Sequence, residues 1–138
     1  MRCVFDENMP IKLARALRVL ESSEEITVQH MRELFDAGTT DAMWIKELGK
    51  EKNCFVITRD NKIKTNKAEL NAWEESGLTI VFLQNSWFNL SFWDICWKFI
   101  KIWQDLKSTL SRNANRRKLM IHIKGKIEEL NSKPISDL

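Results

Sequence analysis

Two apolar runs in this chain stop at an aspartate: Asp6 in "FDENMP" (5–10) and Asp60 in "VITRDN" (56–61). A third, Asp41, opens the segment "DAMWIKELGKEK" (41–52). Three carboxylates brought within several ångströms would repel one another, and their pKa values would rise unless a cation sat among them. Hard carboxylate oxygens without neighbouring His or Cys favour Mg²⁺ or Mn²⁺. An ion held this way activates water and neutralises charge on a phosphoryl oxygen, which is the chemistry of phosphodiester hydrolysis. Taken singly, each acid has a plainer role: Asp6 as a turn former, Asp41 as a helix cap, Asp60 in an Asx-turn. Their conjunction is the informative feature, because three independent turns need not place Asp on one edge.

The residues around these acids extend the pattern. Asn8 either orients a carboxylate or caps the helix that follows it. Arg59, Lys62 and Lys64 flank Asp60 and are candidates to hold substrate phosphates. In "SRNANRRK" (111–118), Arg116 and Arg117 are candidates for sequence-independent phosphate contacts or for meeting an acidic partner. Solvated surface charge is the alternative for each of these cations. His30 and His122 fall inside predicted strands and read as structural, and Trp44 and Trp73 lie on apolar helix faces and read as core.

Elements of the right kind surround the acids. "RCVF" (2–5), "EITVQH" (25–30), "CFVIT" (54–58) and "LTIVFL" (78–83) read as strands, the third continuous in its hydrophobicity as a strand buried on both faces should be. Helices are predicted over 9–21, with Asn8 as N-cap and Pro10 in the first turn, over 41–52, and over 64–77, closed by Gly77. The alternation predicts right-handed crossovers and a parallel sheet covered on both sides. Functional groups in such sheets gather beyond the carboxyl ends of the strands. Asp6 and Asp60 follow strands directly, and Asp41 begins the helix after strand two, so the topology returns all three to one rim. A longer helix is expected at about 89–110, apolar except for the stripe Asp94, Lys98, Lys101, Asp105 and Ser108. Such a helix is either wedged between layers or turned toward a partner, a homodimer included. "KLMIHIK" (118–124) and "KIEEL" (126–130) read as an edge hairpin. The expectation is one domain over 1–133 with a flexible tail at 134–138.

The chain has 138 residues, 43% hydrophobic and 30% charged, which fits an ordinary globular domain. Its net charge of +3 is unevenly spread: residues 1–60 carry nine Lys/Arg against eleven Asp/Glu, and 61–138 carry thirteen against eight. A basic second half suits an anionic partner. The odd, scattered Cys3, Cys54 and Cys96 read as reduced buried thiols. With no signal peptide or membrane-spanning run evident, a soluble cytoplasmic protein is expected.

"FDENMP" with its "LARALR" helix, "HMRELF…GTTDAMWI", "VITRDNKIKTNKAEL" and "GLTIVFL" together resemble the PIN-like toxin family, in the branch related to VapC-type ribonucleases of bacterial toxin–antitoxin systems. The resemblance covers roughly residues 1–83, with the motifs in order, and implies a three-layer α/β/α PIN-like fold with a mainly parallel sheet. It also implies Mg²⁺- or Mn²⁺-dependent cleavage of an RNA substrate and a cognate antitoxin that blocks it. Asp6, Asp41 and Asp60 match the family's acidic metal-site positions. Larger PIN domains show four acids; here Glu7, Glu33 and Glu69 are all candidates for the fourth, which leaves the metal count open. Two other classes compete: a non-catalytic RNA- or protein-binding module, and a receiver-type phosphoacceptor domain. For the receiver, Ser86 has the right character but no Lys stands in the expected place.

Overall fold

In a computed structural model, residues 1–59, 67–112 and 117–130 are described, apart from the side chains of residues 69 and 70. The element order is β1 (Arg2–Phe5), α1 (Ile11–Leu20), β2 (Thr27–His30), α2 (Met31–Leu34), α3 (Asp41–Leu48), β3 (Cys54–Thr58), α4 (Lys67–Ser76), β4 (Thr79–Leu83), α5 (Phe92–Ser111), β5 (Lys118–Ile121) and β6 (Ile127–Glu129). A 3₁₀ turn over Asn85–Asn89 precedes α5.

The strands form one sheet in the order β2-β1-β3-β4-β5-β6. The first five are parallel, and β6 pairs antiparallel with β5 at the edge. Phe5 lies opposite both His30 and Ile57, Thr58 opposite Phe82, and Leu83 opposite Ile121, so the strands end nearly level along one rim. The chain moves outward from β1 to β2, then returns past β1 to β3. That reversal makes the gap between the carboxyl ends of β1 and β3 the topological switch point, where open α/β sheets place their ligands.

Alternating side chains feed two cores. Cys3, Phe5, Phe55, Ile57, Val81, Leu83, Leu119 and Ile121 face α1 and α5, while Val4, Val56, Ile80 and Phe82 face α3 and α4. The three-layer α/β/α fold with a mainly parallel sheet is therefore as expected. The first three crossovers share one hand. The β4–α5–β5 connection moves across the sheet in the same direction as β3–α4–β4 but over the opposite face, so its hand is reversed. Coverage explains this exception to the usual rule: α3 and α4 already cover one face, and α1 alone cannot cover β3, β4 and β5 on the other.

Several local expectations change. Pro10, not Asn8, occupies the N-cap of α1, with φ −64° and no side-chain cap bond; its fixed φ and missing N–H suit that place. Residues 31–34, assigned to no element from the sequence, form the single turn α2, capped by His30. β5 is a fifth parallel strand, so the hairpin's first arm is interior and its second arm, β6, is the edge. Gly77 has φ 73°, as a residue just beyond the C-terminus of α4 requires. On α5, Ile95, Phe99, Ile102, Trp103, Leu106 and Leu110 are buried, and Phe92, Trp93, Trp97 and Ile100 remain exposed. No described helix is long and apolar enough to cross a membrane.

Candidate active site

The loop after β1 turns sharply, because the Met9 N–H donates to the Asp6 carbonyl at 2.9 Å. The Asp6 backbone N–H continues the sheet by donating to the Ile57 carbonyl at 3.0 Å, which pins the residue between β1 and β3. Its side chain is 7% exposed. Oδ1 accepts the Glu7 N–H at 2.7 Å, and Oδ2 accepts the Thr58 hydroxyl at 2.7 Å and the Asn8 amide at 3.2 Å. These three donors come from the loop after β1 and from the end of β3. They fix the carboxylate's orientation.

Asn8 is thus a positioning residue and not a helix cap. Its Oδ1 also accepts the Arg59 N–H at 3.3 Å, and its carbonyl accepts Arg59 Nε at 2.5 Å. The loops after β1 and β3 are stitched together by residues 51 apart in sequence. Burial pulls the Arg59 pKa down, though a guanidinium stays charged at any physiological pH.

Thr58 is a site-supporting residue that the sequence reading missed, and His30, read as structural, supports the same loop. Thr58 is a buried hydroxyl at a strand's carboxyl end, and a polar residue ending the apolar run "CFVI" was the available signal. His30 is fully buried; its Nε2 donates to the Met9 carbonyl at 2.8 Å and its Nδ1 accepts the Arg32 N–H at 3.1 Å. This neutral ring fastens the far end of the "FDENMP" loop to β2, in keeping with a structural role.

Burial, above all, pulls the His30 pKa below its ordinary value of 6.5. A group whose folded pKa lies below its unfolded value contributes stability above the unfolded value. That contribution is lost as pH falls through the window beneath it. Melting temperature is therefore expected to drop between about pH 7.5 and about pH 5.5, and His30→Gln to flatten that slope. Equal slopes in both proteins would exclude His30 as the cause.

Asp41 is the first residue of α3, which must carry the chain from the rim back to the start of β3, so the topology puts it at the same edge as Asp6. Its Oδ1 accepts the indole N–H of buried Trp44 at 2.8 Å. Asp60, Lys62, Lys64 and Arg116 lie outside the described residues, as does the tail expected at 134–138. Among the described residues, no group of three or more His, Cys, Asp or Glu gathers into a metal-holding cluster. Of the candidate fourth acids, Glu33 accepts from His30 N and from the Arg18 guanidinium, a structural pairing whose Arg18 bond chiefly lowers its pKa. Glu7 is exposed, and the side chain of Glu69 is not described.

Arg117 corrects an expectation. It is 8% exposed, forks onto both carboxylate oxygens of Glu129 at 2.8 and 3.1 Å, and donates to the Thr109 carbonyl at 2.6 Å. The guanidinium joins α5, β5 and β6 and is not presented to a phosphate. The thiols are as expected: Cys3 and Cys54 are buried, Cys96 is partly so, and burial pushes Cys54 up to about 12.

These features define a three-layer α/β/α domain with an oriented carboxylate at its switch point. The chain belongs to the PIN-like domain family: a family model described as "PIN like domain" matches residues 1–85. PIN-like domains are generally nucleases, and so hydrolases. The matched segment runs from β1 through β4, and α5, β5 and β6 follow it. No curated protein and no solved structure matches the chain.

Proposed function

We propose that this chain is a Mg²⁺- or Mn²⁺-dependent endoribonuclease and the toxin of a toxin–antitoxin pair, with Asp6, Asp41 and Asp60 holding the ion. The observation that carries the reading is the Asp6 carboxylate, buried at the switch point and oriented by Thr58, Asn8 and the Glu7 N–H. An all-oxygen donor set suits a hard divalent cation. When bound, that ion supplies an activated water and neutralises charge on the phosphate undergoing attack. Hydrolysis adds water across a P–O bond, its hydroxyl to phosphorus and its proton to the departing oxygen.

Within this scheme Asn8 and Thr58 hold Asp6 in place, and His30 holds the loop that carries it. Arg59, at the same rim, and Lys62, Lys64 and Arg116 are assigned to substrate phosphates, where cations position the backbone without reading sequence. The toxin assignment and its cognate antitoxin rest on the family resemblance. A homodimer would use the exposed apolar side chains of α5, and light scattering of the purified chain decides whether one forms. One observation favours a second reading, a non-catalytic binding module: the Asp41 carboxylate is engaged by the Trp44 indole.

Cleavage of a labelled RNA separates the two. The enzyme reading expects cleavage stimulated by Mg²⁺ or Mn²⁺ and removed by EDTA and by Asp60→Asn. Cleavage indifferent to both would remove the metal-dependent reading, and no cleavage at all with added metal would leave only the binding module.

A further inference from the structure

The parallel strands end in a second cluster of functional side chains, two strands further along the rim from β3. The turn between β5 and β6 folds back on the first half of α5. There Trp87, Trp97, Lys98, Lys101, Lys124 and Gly125 line a notch of about 80 Å³. Gly125, at φ 96°, makes the tight turn, and a Cβ added there would lie 3.4 Å from Ile102.

Its chemistry is that of a polyanion with flat rings. Three lysines line it and no Asp or Glu does. Trp97 is 50% exposed, and its indole N–H donates to Asp94 Oδ1 at 3.1 Å, which sets the plane of the ring. The Lys98 ammonium lies 5.0 Å from that ring's centroid and donates to the Ile123 carbonyl at 3.3 Å, so the cation is anchored over one face. Behind it, Trp87 is fully buried and its indole N–H has no hydrogen-bond partner. A buried donor without an acceptor is costly. Trp93, one helical turn before Trp97, is 77% exposed and extends the aromatic surface.

We infer that this notch and its indoles form a subsite for single-stranded nucleic acid, holding the stretch that flanks the bond cut near Asp6. The inference rests on the nuclease reading for the role of the strand, while binding itself does not require catalysis. From β1 to β5 there are three strand spacings, roughly 14 Å, a distance that a few nucleotides bridge. Aromatic faces take bases regardless of identity, and lysines track the backbone. A duplex would bury its base faces within its own stack, so the exposed indoles select single strands. The residues of this surface lie beyond the segment matched by the family, in the 3₁₀ turn, α5 and the turn after β5.

The test is fluorescence anisotropy of a short labelled oligonucleotide in EDTA, in an Asp6→Asn background so that nothing is cut. RNA, DNA of the same sequence, and a duplex are the three probes. Trp97→Ala is expected to weaken single-strand binding about tenfold, the loss of one stacked base. Lys101→Gln with Lys124→Gln should make the log–log salt dependence shallower by about 1.4, two phosphate contacts on a single strand. Equal effects on RNA and DNA assign the site to bases and phosphates, and a larger effect on RNA assigns it the 2′-hydroxyl as well. Unchanged binding in both variants, with melting temperatures preserved, overturns the inference. So does a drop in oligomer mass by light scattering in Trp97→Ala, which would make the face a contact with a second copy. Loss of binding in these variants, with no metal-dependent cleavage by the unaltered chain, would sink the catalytic reading and leave the subsite standing.

Discussion

Asp6→Asn should lower metal-stimulated RNA cleavage by about three orders of magnitude while the protein stays folded. The substitution keeps the shape of the side chain and removes its charge, so it isolates the carboxylate's electrostatic role. An amide oxygen still accepts the Thr58 hydroxyl that now bonds Oδ2 at 2.7 Å. The new amide nitrogen, however, faces a donor, which costs about 1 kcal/mol of stability. A cation held by three acids loses a large part of its attraction when one becomes neutral, and a thousandfold rate loss corresponds to about 4 kcal/mol in the barrier. The check is a single-turnover rate at saturating Mn²⁺ beside a thermal melt. A rate within a few-fold of the parent, with the melt unchanged, would remove Asp6 from the chemistry.

Phe99→Ala should cost about 3–5 kcal/mol, the range for emptying a buried aromatic position. Phe99 is fully buried. Its ring meets that of Phe5 edge-on, with centroids 5.3 Å apart and planes at 76°, and lies 6.0 Å from that of Trp103. It is the wedge that lets α5 cover the exposed half of the sheet, and Phe5 immediately precedes Asp6. Against a total stability of about 5–15 kcal/mol, the loss is large, and a fall in melting temperature of roughly 10 °C or more is expected. Trp93→Ala on the same helix is the contrast: at 77% exposure it should change stability by no more than about 0.5 kcal/mol. Urea unfolding of the two variants measures both, and similar midpoints would contradict this division of α5 into a packed and an open face.

The parts of the fold that were legible from sequence are those where local pattern and tertiary environment agree. Cys54–Thr58 is buried at every position, so its unbroken apolar run named it as an interior strand. Gly77 at the end of α4 marked a left-handed residue that the backbone indeed needs. Misreadings fall where a side chain had two local uses and a distant partner chose between them. Asn8 has the chemistry of a cap, but Arg59 and Asp6 claim its amide and Pro10 takes the helix start. Arg117 sits in a basic run and looked like a phosphate ligand, yet Glu129 on the neighbouring strand supplies a bidentate partner. The four residues of α2 are too few to show a period. For α5, periodicity revealed two apolar faces without telling which one meets the sheet.

At the site, Asp6 was legible because it directly follows a strand that ends at the switch point. Its support was not. Thr58 and His30 act through bonds to Asp6 and Met9, residues far away in sequence, and nothing in a single chain's local pattern links them.

Calorimetric titration of Mn²⁺ into the purified chain and into Asp6→Asn, without RNA, tests the central claim most directly. A carboxylate pocket at the switch point predicts saturable binding by the parent chain that falls at least tenfold in the variant. Identical isotherms, or no binding above that of a surface carboxylate in either protein, would contradict it.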